Sequence, residues 1–137
     1  MAEAQSRPEV TRHPRPLSPH LGVYRPMLTM MMSIAHRITG IVLSAGTLLL
    51  AWYLVAAASG PHAFEIAAGF LSSWLGLLIL FGFTWALFHH LLGGVRHFIW
   101  DAGYGMDHPQ REYLAQATLG GGILLTVLVW ILAFLVR

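Results

Sequence analysis

An all-α integral membrane protein with three transmembrane helices is what this 137-residue chain predicts. Three observations carry that expectation. Apolar residues make up 56% of the chain and charged residues only 10%, against roughly 25% charged in an average soluble domain. Mean hydropathy is +0.63. Most directly, three stretches lack Asp, Glu, Lys and Arg altogether: Ile38 to Phe64, Ile66 to Val95 and Tyr113 to Val136. Each is longer than the roughly 20 residues that carry a helix across ~30 Å of hydrocarbon. A soluble helical bundle needs a polar outer face, which these stretches do not supply.

Residues 1–26 read as a cytoplasmic arm, broken by Pro8, Pro14, Pro16 and Pro19. The arm has no apolar core of the kind a cleaved secretory signal requires. Pro26 suits an early helical position ahead of Met27 to Met32, and residues 27–137 then form the transmembrane domain. The first helix is expected over about 29–58, ended by Ser59-Gly60-Pro61. The second is expected over about 65–100. A helix of that length extends ~54 Å, so it protrudes from the hydrocarbon or breaks near Gly93-Gly94. Asp101 to Arg111, with Gly103, Gly105 and Pro109, forms a short connection to a third helix over about 111–135. Within that helix Gly120-Gly121-Gly122 offers close packing or a bend.

Basic residues orient the chain. Arg7, Arg12, Arg15 and Arg25 lie in the arm, Arg37 follows at the membrane boundary, and Arg96 and Arg111 bracket the second connection, while the link around Gly60 and Glu65 has no base. The positive-inside rule puts the amino terminus in the cytoplasm and the carboxyl terminus on the far side. A net charge of +2 without a lysine-rich stripe gives no footprint for nucleic acid. Cysteine is absent, which excludes disulfides, thiolate-bound zinc and iron–sulfur ligation by this chain. Trp100 falls where an interfacial belt residue belongs. Met27, Met30, Met31 and Met32 form a pliant cluster suited to interfacial packing or to a hydrophobic ligand tail.

Two polar clusters flank the apolar stretches. Ser33, His36, Arg37 and Gly40 recur at i, i+3, i+4 and i+7, so a hydroxyl, an imidazole and a guanidinium share one side of the first helix. Such a strip can donate to a quinone carbonyl or a carboxylate; equally, Arg37 can act as a snorkelling topology anchor. In the second cluster His90 and His97 stack two turns apart with Gly94 between them, and Asp101 is within helical reach of His97. An intramembrane histidine beside a glycine can ligate heme iron, because the missing side chain admits the porphyrin. The two histidines are ~10.5 Å apart along the axis, too far to hold one iron from both sides, so a second ligand has to come from elsewhere. His89 is a rival ligand turned about 100° away. Spacing by itself leaves metal ligation, a hydrogen-bonded buried histidine and a proton relay all open.

Arg15-Pro16-Leu17-Ser18-Pro19-His20-Leu21, followed by Ser33-Ile34-Ala35-His36-Arg37-Ile38-Thr39-Gly40, resembles the amino-terminal signature of the cytochrome b556 subunits of succinate dehydrogenase, respiratory complex II. His90 to Gly103 resembles their second signature. The resemblance implies a bacterial inner-membrane anchor that packs with a second small membrane-anchor subunit and joins an iron–sulfur subunit and a flavoprotein subunit. FAD and the iron–sulfur clusters are then expected only in those partners, and electrons pass to ubiquinone. It implies His90 as an axial ligand of heme b, with the opposite ligand from the second anchor. His36 and His97 match histidines near the heme propionates, and Ser33 and Arg37 match the quinone-site serine and arginine. The rival readings are the anchor of a related fumarate reductase, a heme-free structural anchor, and a small transporter or channel subunit.

Overall fold

The computed structural model describes Gly22 and residues 24–136. Most of the expected arm, including Arg7, Arg12 and the signature from Arg15 to Leu21, lies outside the described residues, as do Val23 and Arg137. The chain forms four helices in order: α1 (Leu28–Ser59), α2 (Pro61–Ser72), α3 (Trp74–Asp101) and α4 (Gln110–Val136). Three of them, α1, α3 and α4, are long and apolar enough to cross a membrane. At 12 residues, α2 reaches only ~18 Å.

The continuous helix expected over 65–100 is therefore corrected to two helices, and the break falls at Ser73 rather than at Gly93-Gly94. Ser73 is extended (φ −67°, ψ 161°); its N–H donates to the Phe70 carbonyl, closing α2. Its hydroxyl oxygen accepts from the Gly76 N–H at 3.2 Å, so the same residue caps the start of α3. Gly76 is the sterically required partner of this bend. A Cβ there would collide with the Phe70 carbonyl and with Leu71. By contrast α3 runs unbroken through Gly93-Gly94.

Gly60, with φ 118°, ends α1 in a region that favours glycine, and Pro61 opens α2 immediately afterwards. Aromatic pairs then hold α2 against α1: Trp52 meets Phe70 edge-on at 5.8 Å, and Tyr53 meets Phe64 at 5.7 Å.

The hub of the bundle is α3, packed on one side against α4 and on another against α1. Most of what the bundle buries is small. Ala56, Ala67, Ala86 and Ala115 are buried together with Thr39, Thr118 and Thr126. A Cβ on Gly122 would come within 3.2 Å of the His89 Cα, so the expected glycine triplet does bring α4 close to α3, without interrupting the helix. Thr118 and Thr126 return their hydroxyls to the Leu114 and Gly122 carbonyls of their own helix. Such packing suits a bilayer, where lipid is as apolar as the side chains and close backbone approach replaces hydrophobic burial. Large apolar residues face outward instead, among them Ile41 (71% exposed) and Leu48 (73%).

The connection from α3 to α4 is pinned by Trp100, whose indole N–H donates to the Gly105 carbonyl at 3.0 Å. Within the methionine cluster, Met32 is buried while Met27 and Met31 remain exposed.

Candidate functional site

The polar clusters of α1 and α3 meet where these helices cross. The His36 and His90 rings stack with centroids 3.9 Å apart and planes 6° from parallel. His97, two turns further along α3, reaches His36 at 5.4 Å. Three imidazoles expected from two separate motifs thus gather at one end of the bundle.

Two glycines permit this approach. A Cβ on Gly93 would strike the His36 ring, and a Cβ on Gly40 would come within 3.0 Å of His90 Cε1. Gly94, one position on, is different: a Cβ there meets no atom within 4 Å. Gly93 therefore serves helix packing, whereas Gly94 opens a face beside His90.

Hydrogen bonding fixes the chemistry of the His90 ring. Its Nδ1 lies 3.0 Å from the His36 carbonyl oxygen and 3.3 Å from Thr39 Oγ1. A carbonyl only accepts, so Nδ1 carries the proton and donates. The lone pair consequently resides on Nε2, which no described residue engages. An imidazole held through Nδ1–H and presenting Nε2 is the usual form of a metal-ligating histidine with its outer hydrogen bond already made.

The remaining sequence candidates divide by direction. Ser33 and Arg37 stay exposed on the outer side of α1, while His36, three residues from Ser33, turns inward toward α3. The single strip expected for Ser33, His36 and Arg37 is thus two adjoining faces. Asp101 does not pair with His97; among the described residues the ion pair formed is His108 with Glu112, at 3.5 Å. His97 instead packs edge-on against Trp100 at 5.2 Å.

His89, the rival ligand, is fully buried against Trp85, 5.2 Å away, and the backbone of α4 at Gly122. It faces α4, whereas the His90 ring packs against α1. Arg96 is buried on that same inner face, its guanidinium 5.0 Å from the centre of the Trp100 ring.

Below the histidines, an apolar groove of about 560 Å³ runs between α1 and α3, from Thr39 past Val42, Gly46 and Leu49 toward Gly82 and Phe83. Thr39 belongs both to this groove and to the His90 hydrogen-bond pair. Its part was missed in the sequence, although a threonine one turn after His36, inside the quoted motif, was the available signal.

Comparison with known proteins gives the family. Residues 11–130 match the family described as succinate dehydrogenase/fumarate reductase transmembrane subunit. The succinate dehydrogenase cytochrome b556 subunit of Paracoccus denitrificans is 49% identical over 126 residues, covering 92% of this chain and 97% of the relative. The subunit of the same name from Rickettsia conorii is 32% identical, over 85% and 91% of the two chains. The mitochondrial cytochrome b560 subunit of Sus scrofa is 44% identical over 70% of this chain and 58% of its own. With both polar clusters inside the matched region, the chain belongs to the succinate dehydrogenase/fumarate reductase transmembrane subunit family.

Proposed function

We propose that this chain is the heme b-binding membrane anchor of a succinate:quinone oxidoreductase, with His90 Nε2 as one axial ligand of the heme iron. The observation that carries this reading is the engagement of His90 Nδ1 by the His36 carbonyl, which leaves Nε2 free to ligate, while Gly94, one turn further along α3, has open space where a side chain would stand. The names of the relatives, cytochrome b556 and b560 subunits, agree with it. His36 and His97 stand next to His90 and are suited to donate to the carboxylates of the heme edge.

Heme b supplies reversible one-electron chemistry at its iron. With one ligand from this chain, the second would come from a partner. The partner is a second small membrane-anchor subunit seated on the exposed apolar surface of α1 and α3. An iron–sulfur subunit and a flavoprotein subunit bind at the cytoplasmic side and hold the clusters and FAD, for which this chain has neither cysteines nor a nucleotide-binding loop.

Ser33 and Arg37 form the quinone-facing side. Ubiquinone bound there would take two electrons from the iron–sulfur subunit and two protons from water, with negative charge developing on its oxygens. The Arg37 guanidinium stabilises that charge and the Ser33 hydroxyl donates to a carbonyl oxygen. Orientation follows the arginines: Arg25, Arg37, Arg96 and Arg111 lie toward the cytoplasmic face of a bacterial inner membrane. Residues 1–26 are then the cytoplasmic arm and residues 27–137 the membrane domain.

The test is the oxidised and dithionite-reduced visible spectrum of the purified native complex, compared with a His90→Ala form at matched subunit content. A b-type spectrum that disappears or shifts in the variant is expected; an unchanged spectrum rejects the ligand assignment. Because the family description spans both enzymes, a fumarate reductase anchor is the second reading. Assay of the same complex in both directions, succinate with quinone and fumarate with quinol, distinguishes the two.

A further inference from the structure

The Thr39 hydroxyl lies at the back of the His90 ring, and its hydrogen has only one place to go. Thr39 is 2% exposed, and its Oγ1 is 2.9 Å from both the Ala35 and the His36 carbonyl oxygens. Both are acceptors, so the single hydroxyl hydrogen points into its own helix. Toward His90 Nδ1, 3.3 Å away, the oxygen can then offer only a lone pair. The imidazole N–H is thus shared between two acceptors, the Thr39 hydroxyl and the His36 carbonyl, in a three-centre arrangement.

We propose that Thr39 is a positioning residue for the axial ligand: with the His36 carbonyl it receives the His90 Nδ1–H, fixes the rotation and tautomer of the ring, and lowers the reduction potential of the bound heme. This rests on the heme reading above. An acceptor on the outer N–H makes a ligating imidazole more basic and a stronger donor to iron. Stronger donation stabilises the ferric over the ferrous state, which is the direction of a lower potential. The His36 carbonyl is backbone and survives any side-chain change there. Thr39 is the part of the pair that sequence can adjust.

The experiment is an optical redox titration of the b-type heme in the purified native complex, with the low-temperature EPR spectrum of its ferric form, for the wild type, Thr39→Val and Thr39→Ser. Valine replaces the hydroxyl by a methyl group; serine retains the hydroxyl and removes the methyl. Expected are a higher midpoint potential and an altered low-spin ferric signal in Thr39→Val, with Thr39→Ser close to wild type in both. Loss of heme from Thr39→Val with retention in Thr39→Ser equally supports the assignment. A Thr39→Val complex that matches wild type in potential and EPR overturns it. So does a Thr39→Ser complex that shifts or loses heme as Thr39→Val does, because the methyl group is then what matters. A wild-type complex without a b-type spectrum overturns the heme reading itself, an outcome read before any variant is compared.

Discussion

His36 covers one face of the His90 ring at 3.9 Å and, through its backbone carbonyl, also accepts the His90 Nδ1–H at 3.0 Å. The two contributions are separable by mutation, since the carbonyl remains whatever side chain is present. His36→Ala is therefore expected to keep the b-type spectrum with reduced heme occupancy. His90→Ala, which removes the nitrogen proposed to ligate the iron, is expected to lose it. Heme content per assembled complex, by the pyridine hemochrome method, is the measurement. Retention in His90→Ala with complete loss in His36→Ala would exchange the roles of the two residues.

Gly93 and Gly94 are neighbours in sequence with opposite surroundings, one against the His36 ring and one facing open space. Gly93→Val forces α1 and α3 apart, and overpacking of this kind costs about 1–3 kcal/mol. It is expected to lower both the yield and the thermal stability of the complex. A Cβ at Gly94 meets no atom of this chain within 4 Å, so on the proposed reading the cost of Gly94→Val falls on heme binding. Assembly near wild type with diminished heme is the expected result, read by subunit content and visible spectrum. Equal effects at the two positions would remove the distinction drawn here between packing and ligand access.

The bend between α2 and α3 makes an independent test of the fold. Ser73→Ala removes the hydroxyl that accepts from the Gly76 N–H, a loss typically of ~1 kcal/mol. Gly76→Val introduces a Cβ into the Phe70 carbonyl and the Leu71 backbone, neither of which can rotate away. Thermal unfolding of the detergent-solubilised complex is expected to fall further for Gly76→Val than for Ser73→Ala. His90 lies fourteen residues along α3 from Gly76, ~21 Å, so the heme spectrum of the surviving complex should be unchanged.

Those same residues mark what the sequence made legible. The expected helices at 29–58, 65–100 and 111–135 end within a residue of the observed ones everywhere but at the start of α3, because apolar length together with the turn residues between the runs delimits a span. The Ser73 break was missed: the stretch around it is free of charge, and Ser72-Ser73 ahead of the apolar run from Trp74, with Gly76 three residues on, was the available signal. The histidines were legible as a group, since their spacing and motif context restrict them to one end of the bundle. Their mutual stacking was not, for it depends on how closely α1 approaches α3, and that distance is set by Gly40 and Gly93 together. His89 and His90 could be told apart by helical angle, but which face was interior became definite only with α4 in place.

Arg37 is exposed beside Ser33 on the outer side of α1, where it can meet a bound quinone without rearrangement of the helices. Removing a positioned charge donor from a developing oxyanion typically lowers turnover by ~10²–10³-fold. Arg37→Ala is therefore expected to reduce quinone reductase activity by about that factor. Succinate oxidation measured with a soluble artificial acceptor, which bypasses the membrane domain, should remain within about twofold, far less than the ~10²-fold loss at the quinone. Ser33→Ala loses a neutral hydrogen bond and should cost less, while leaving the heme spectrum intact because Ser33 makes no contact with the His36 and His90 pair. If both activities of Arg37→Ala fell together in an assembled complex, the defect would lie upstream of the quinone, and Arg37 would revert to a topology anchor.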